Sequence, residues 1–177
     1  MQLVESLKSL IRDVPDFPKP GIIFKDITPL LEEPRIVKEV VKTLARSYNG
    51  KKVDAIAAIE ARGFLFGFLL AQEFNVPFIP IRKEGKLPYK KIKQEYSLEY
   101  GTAIIEMHED ALKKDWQVII HDDLLATGGT ANAAGQLIQK LGGKVLGFSF
   151  VVNLDFLDGK RLLEEAYNCK VDYLIDY

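Results

Sequence analysis

Cysteine occurs once in the 177 residues, at Cys169, so no internal disulfide can form. The two histidines, His108 and His121, are too few and too separated for a structural zinc cluster. That usage suits a reducing cytosol, the expected compartment. An excess of one charge sign is also missing. With 24 Lys and Arg against 25 Asp and Glu, the net charge is −1 and the pI about 6.2. Neither nucleic acid nor an anionic membrane is therefore expected as a partner. Long apolar runs are absent: the longest, Gly63 to Ala71, falls far short of the roughly 20 residues that a spanning helix needs. No repeat, tag or low-complexity segment occurs. At the N-terminus, Leu3, Val4, Leu7, Leu10 and Ile11 keep helical spacing while Glu5, Lys8, Arg12 and Asp13 interrupt any signal-peptide core. With 47% apolar residues, the chain is expected to bury one core as a single domain over 1–177.

What is present is an alternation of short apolar runs with helical periodicities. Pro34 opens a helix striped by Ile36, Val37, Val40, Val41 and Leu44. Strand runs are expected at Val53–Ile59, Val76–Arg82, Trp116–Ile120, Lys144–Val152 and Val171–Ile175, and two more within Tyr96–Met107, joined at Tyr100-Gly101-Thr102. Helices fall between them at Arg62–Phe74, Asn132–Leu141 and Leu157–Ala166. This order predicts an α/β fold, a central mostly parallel sheet flanked by helices, with ligands at the strands' C-terminal ends. Val14 to Gly21, with three prolines and a glycine, reads as an irregular, stiff flap.

The densest signal is Asp122-Asp123-Leu124-Leu125-Ala126-Thr127-Gly128-Gly129-Thr130, which leaves an apolar strand and opens a helix. A helix N-terminus offers free N–H groups and a positive dipole end, and Gly128 and Gly129 admit an anion close to the backbone. Thr127 and Thr130 add hydroxyl donors. The two acids would repel phosphate, so they face another part of the same ligand, sugar hydroxyls or a metal. Ribose 5-phosphate satisfies both halves. No lysine follows Gly129 as a nucleotide P-loop requires, and a dinucleotide motif needs a third glycine. A plain turn after a strand is the remaining alternative.

Ala55 to Phe64 repeats the strand, turn and helix, with Arg62 and Gly63 at the helix start. It reads equally well as a second phosphate site, where Arg62 clamps oxygens bidentately, and as an ordinary turn with a surface arginine. Next to the first site, two phosphates on one ribose fit: a 5-phosphate and a 1-pyrophosphate. Between Arg82 and Lys93 stand six cations. Lys90, Lys91 and Lys93 are expected in a solvated loop. Arg82, Lys83 and Lys86 flank the strand end, where a departing pyrophosphate would be neutralised.

These residues resemble the phosphoribosyl pyrophosphate-binding motif of type I phosphoribosyltransferases. Phe17–Pro29, Arg62–Gly67 and Gly85–Pro88 followed by Tyr96–Gly101 narrow the resemblance to the adenine phosphoribosyltransferases. It implies a small N-terminal hood (about 14–30) and a mobile catalytic hairpin loop (about 83–101). Asp122 and Asp123 would hold the ribose hydroxyls, and Ala126, Thr127, Gly128, Gly129 and Thr130 the 5-phosphate. Arg62, Arg82, Lys86 and Tyr100 would meet the pyrophosphate. That group carries Mg2+ largely through its own oxygens and water, with no protein metal ligand expected. Ile23, Phe24 and Lys25 would read adenine beside the apolar walls Leu124 and Leu154. Glu99 would take or relay the adenine proton, although from sequence alone an exposed hairpin glutamate fits it as well. The implied reaction makes AMP and pyrophosphate in the cytoplasm, in a homodimer. The same chemistry on hypoxanthine, guanine or xanthine, or a non-catalytic regulator, are the alternatives. The chain departs from the family's usual residues at Lys25 (arginine), Ala61 (serine), His121 (apolar) and Asn153 (acid). A packed or rim histidine is expected at His121, its pKa raised by two neighbouring carboxylates.

Overall fold

Alternating residues of the central strands feed two separate cores, which is why helices are needed on both faces of one sheet. The structure, a computed structural model, describes residues 2–98 and 101–177. In order come α1 (Gln2–Leu10), β1 (Arg12–Pro15), β2 (Ile23–Asp26), α2 (Pro34–Arg46), β3 (Ala55–Ile59) and α3 (Gly63–Phe74). They are followed by β4 (Phe78–Lys83), β5 (Lys91–Leu98), β6 (Gly101–His108), β7 (Gln117–Leu125), α4 (Gly129–Lys140), β8 (Lys144–Asn153), α5 (Gly159–Tyr167) and β9 (Lys170–Asp176). Seven strands form one sheet in the order β5-β6-β4-β3-β7-β8-β9. It is parallel from β4 through β9 and antiparallel where β6 meets β4 and β5, the mostly parallel sheet expected.

On one face Ala57, Ile59, Ile81, Ile120 and Phe148 pack with Leu137 and Ile138 of α4 and Leu163 of α5. On the other, Ile56, Ile119 and Val151 pack with Leu7 of α1, Leu44 of α2 and Phe66 and Leu70 of α3. Helix α3 lies so close that a Cβ on Gly67 would stand 2.5 Å from the Ala58 Cβ. Small residues on both sides thereby set the height of α3 over β3.

Three expectations change. Val14 and Pro15 belong to β1, which pairs antiparallel with β2 (Val14 opposite Phe24), so the flap is a hairpin. Pro15 is tolerated because a two-stranded edge does not need its N–H. Strand β7 continues through the acids to Leu125, because pairing with β8 (Leu124 opposite Val152) carries it beyond the apolar run. Finally, Lys91 and Lys93 lie in β5, where both ion-pair with the fully buried Glu106. A buried carboxylate requires such counter-charge, and only Lys90 keeps to the solvated character expected of all three.

Candidate active site

The C-terminal end of β7 sets out the site. Asp122 and Asp123 are strand residues of β7, followed by its last two, Leu124 and Leu125, and the Asp123 N–H donates to Asp122 Oδ1 at 2.8 Å. Asp123 is 3% exposed. Burial pushes the Asp122 carboxyl well above the usual aspartate range, and repulsion from Asp123 adds to it. Asp123 is likewise raised by burial, with the Arg62 guanidinium opposing. Arg62 Nε lies 3.1 Å from Asp123 Oδ2, yet that oxygen accepts no hydrogen bond. Such a pair of half-satisfied buried acids favours ligand hydroxyls or developing positive charge in front of it.

Beyond the acids the chain turns through Ala126 to Gly128, which has φ +81, and enters α4 at Gly129. Asp122, Leu124 and the residues from Ala126 to Thr130 line a recess of about 80 Å³, the size of a small anion. The loop is backed by another backbone: a Cβ on Gly128 would come 2.9 Å from Gly159 O, and Gly159 presses in return against Ala126 and Gly128. Gly159 was not suggested by the sequence reading. The signal available was only Asp158-Gly159 ahead of a helix.

Asp122 and Thr130 also border a second cavity of about 520 Å³, lined by Glu60, Lys83, Glu84 and Tyr96 among others. Arg82 and Lys86 are joined rather than free: Arg82 Nε donates to Glu60 Oε2 at 2.5 Å and Arg82 Nη1 to Lys86 O at 3.0 Å. Among the described residues, no carboxylate lies within ion-pair distance of the Lys83 or Lys86 ammonium. Glu99 and Tyr100 lie outside the described residues.

On the hood, Arg62 also spans to β2. Its guanidinium lies over the Phe24 ring at 4.5 Å, and Nη1 donates to Lys25 O at 3.4 Å. The Lys25 ammonium turns away, to Asp13 Oδ1 at 2.7 Å and over the Tyr177 ring at 3.7 Å. Ile23 is exposed. Leu154 follows β8 and donates its N–H to Leu125 O at 2.9 Å, which puts it beside Leu124 at the sheet end. Asn153 is buried and donates to Asp176 Oδ1 at 2.8 Å. His121 is fully buried with Nδ1 3.3 Å from Ser149 Oγ. Its pKa is pushed down to about 3 by burial, not raised, because among the described residues no carboxylate oxygen lies within ion-pair distance of its ring.

The described residues contain no cluster of three or more His, Cys, Asp or Glu that would hold a metal by themselves. Two buried carboxylates, one with an oxygen lacking a hydrogen bond, fit a hard cation whose other ligands come with the substrate. No helix among the described residues is long and apolar enough to cross a membrane.

Comparison with known proteins agrees with this geometry. Residues 26–174 match the family model of the phosphoribosyl transferase domain. An adenine phosphoribosyltransferase of Cytophaga hutchinsonii is 50% identical over 175 residues, 99% of this chain and 96% of its own. The crystal structure of adenine phosphoribosyltransferase from Thermoanaerobacter pseudethanolicus superposes with a TM-score of 0.94 at 47% identity, covering 98% of this chain and 99% of that one. The Saccharomyces cerevisiae enzyme, solved with an imino-altritol 1,6-bisphosphate and adenine, gives 0.90 at 37% identity, with 98% and 99% covered. The chain belongs to the phosphoribosyl transferase family, in its adenine phosphoribosyltransferase group.

Proposed function

We propose that this chain transfers the 5-phosphoribosyl group of phosphoribosyl pyrophosphate to adenine, giving AMP and pyrophosphate. One observation carries the reading: the buried Asp122, paired with Asp123, borders both a phosphate-sized recess and a larger cavity edged by an unpaired lysine. A ribose with phosphate at both ends spans that arrangement. The yeast relative's complex, with a bisphosphate and adenine together, supports it.

The residues 126–130 hold the 5-phosphate, and Asp122 and Asp123 hold the ribose hydroxyls and oppose the positive charge that grows on the ribose as N9 attacks the anomeric carbon. Lys83, Lys86 and Arg82 with Tyr100 receive the pyrophosphate, joined by Arg62. That guanidinium exchanges the Phe24 ring for the leaving group, which frees the ring to stack on the base. Mg2+ travels on the pyrophosphate and neutralises its charge. Glu99 takes the N9 proton. The Lys25 ammonium is already engaged by Asp13 and Tyr177, so the base is read by the backbone edge near Ile23, between Phe24 and the walls Leu124 and Leu154. A backbone N–H and carbonyl match adenine's ring nitrogen and 6-amino group, whereas a 6-oxo purine leaves both unsatisfied.

Pyrophosphate release is expected with adenine, and at least about a hundredfold less with hypoxanthine, guanine, xanthine or orotate, as the penalty for unpaired buried polar groups implies. Preference for another base would move the specificity, and tight phosphoribosyl pyrophosphate binding without turnover on any base would make the chain a regulator. We assign the exposed apolar strip Leu65, Phe68 and Leu69 of α3 to a homodimer contact. Light scattering should then return twice the 20.0 kDa chain mass, and a single-chain mass would remove the assignment. The cytoplasm is the proposed compartment, a reading that the single, half-buried Cys169 supports.

A further inference from the structure

Glu106 is a fully buried charge on β6 that belongs to none of the motifs that mark the site. Its partners all belong to one stretch of chain. Glu106 Oε2 accepts the Gly85 N–H at 3.0 Å and lies 3.3 Å from Lys91 Nζ, while Oε1 is 3.4 Å from Lys93 Nζ. Each lysine then holds the same turn a second time. Lys91 Nζ donates to Leu87 O at 2.8 Å, and Lys93 Nζ to Glu84 Oε1 at 2.6 Å. The turn at 84–87 is thus tied at Glu84, Gly85 and Leu87 to one buried carboxylate and its two lysines. Arg82 Nη1 adds a further tie, to the carbonyl of Lys86.

This arrangement divides the six cations of the segment by task. Lys91 and Lys93 neutralise Glu106, Lys90 faces Glu109 and the Nε of Arg82 meets Glu60, whereas Lys83, just before the braced turn, and Lys86, within it, keep uncompensated ammonium groups. Burial alone would raise the Glu106 carboxyl. The Lys91 and Lys93 ammonium groups and the Gly85 N–H hold it below the usual glutamate range instead, so the clamp stays charged.

We propose that Glu106 is a positioning residue for pyrophosphate: with Lys91 and Lys93 it fixes the 84–87 turn so that Lys83 and Lys86 are held ready for the leaving group. The inference rests on the reading that this turn meets the pyrophosphate. Holding a charge in place before the reaction is what gives it catalytic value, and a displacement near 1 Å can cost about a hundredfold.

The test is Glu106→Gln, which keeps the volume and an acceptor for the Gly85 N–H but leaves two lysines without a counter-ion. KM for phosphoribosyl pyrophosphate and the inhibition constant of magnesium pyrophosphate should both rise about tenfold, with KM for adenine within about twofold of the parent. A general loosening of the fold would move all three together, and that outcome overturns the proposal, as do unchanged constants in a folded variant. If Glu106→Gln does not fold, Lys93→Gln, at a half-exposed position, must show the same split in smaller measure, and its absence is equally fatal. Lys86→Gln separates the two levels. If it leaves pyrophosphate inhibition unchanged, the reading of the turn fails; if it weakens inhibition while Glu106→Gln does not, the positioning role alone is wrong.

Discussion

Asp122→Asn is expected to melt at a higher temperature than the parent chain while losing most of its activity. The parent buries two carboxylates side by side, and the Asp122 carboxyl is raised first by burial and then by Asp123. An acid whose folded pKa exceeds its unfolded value binds more protons in the folded chain. Stability is therefore greatest below the ordinary value of 3.8 and falls as pH rises through the raised folded pKa. Asparagine carries no charge at any pH and removes that cost while its Oδ1 still accepts the Asp123 N–H. A gain of about 1 kcal/mol, roughly 2–4 °C in Tm for a chain of this size, follows at pH 7 in the absence of substrate. The gain should shrink as the melt is repeated toward pH 4. In kcat/KM the loss should be about 10²–10³-fold, the usual cost of deleting one fixed charge from a transition-state environment. A variant that melts lower at pH 7, or that keeps its turnover, would show that the acid pair is neither strained nor electrostatic in purpose.

That opposition between stability and chemistry was partly legible in the sequence. Two adjacent aspartates at the end of an apolar strand, followed by two glycines and a helix, pointed to a ligand with an anionic part and a second part, sugar hydroxyls or a metal, with a plain turn as the alternative. Apolar spacing likewise located most strands and helices, because periodicity is a local property. What periodicity does not carry is the partner of a charge. Lys91 and Lys93 read as solvated because Glu106, some fifteen residues on, looks like any strand glutamate until β5 and β6 are paired. The engagement of Lys25 with Asp13 and Tyr177 depends on the hood hairpin meeting the last strand. The pKa of His121 was expected in the wrong direction for a related reason: sequence neighbours suggested two carboxylates, whereas burial beside Ser149 decides the outcome. The extension of β7 through its own acids needed the parallel register with β8, which no single strand reveals.

Gly159 shows the same limit at its sharpest, since it belongs to no motif yet backs the loop proposed to hold the 5-phosphate. Its backbone meets that of Ala126 to Gly128 with no side chain between them. A Cβ there would collide with Ala126 O and come 2.8 Å from Gly128 N and 2.9 Å from the Thr127 carbonyl carbon. All three are backbone atoms, so no rotamer change relieves the overlap. The loop or the start of α5 must shift by about 1 Å, and displacement on that scale costs about a hundredfold when the displaced groups orient a reacting ligand. Gly159→Ala is accordingly expected to raise KM for phosphoribosyl pyrophosphate by roughly that factor, with adenine affinity little changed, because the base contacts proposed at Ile23 and Phe24 belong to the β2 hairpin and not to the loop. Overpacking of this kind also costs about 1–3 kcal/mol, so the melting temperature should fall by several degrees. Steady-state kinetics with each substrate varied in turn, beside a thermal melt, separate the two effects. Were KM for phosphoribosyl pyrophosphate to stay within about threefold of the parent, the loop would be tolerant of its seat and the close backbone approach would have no part in holding the 5-phosphate.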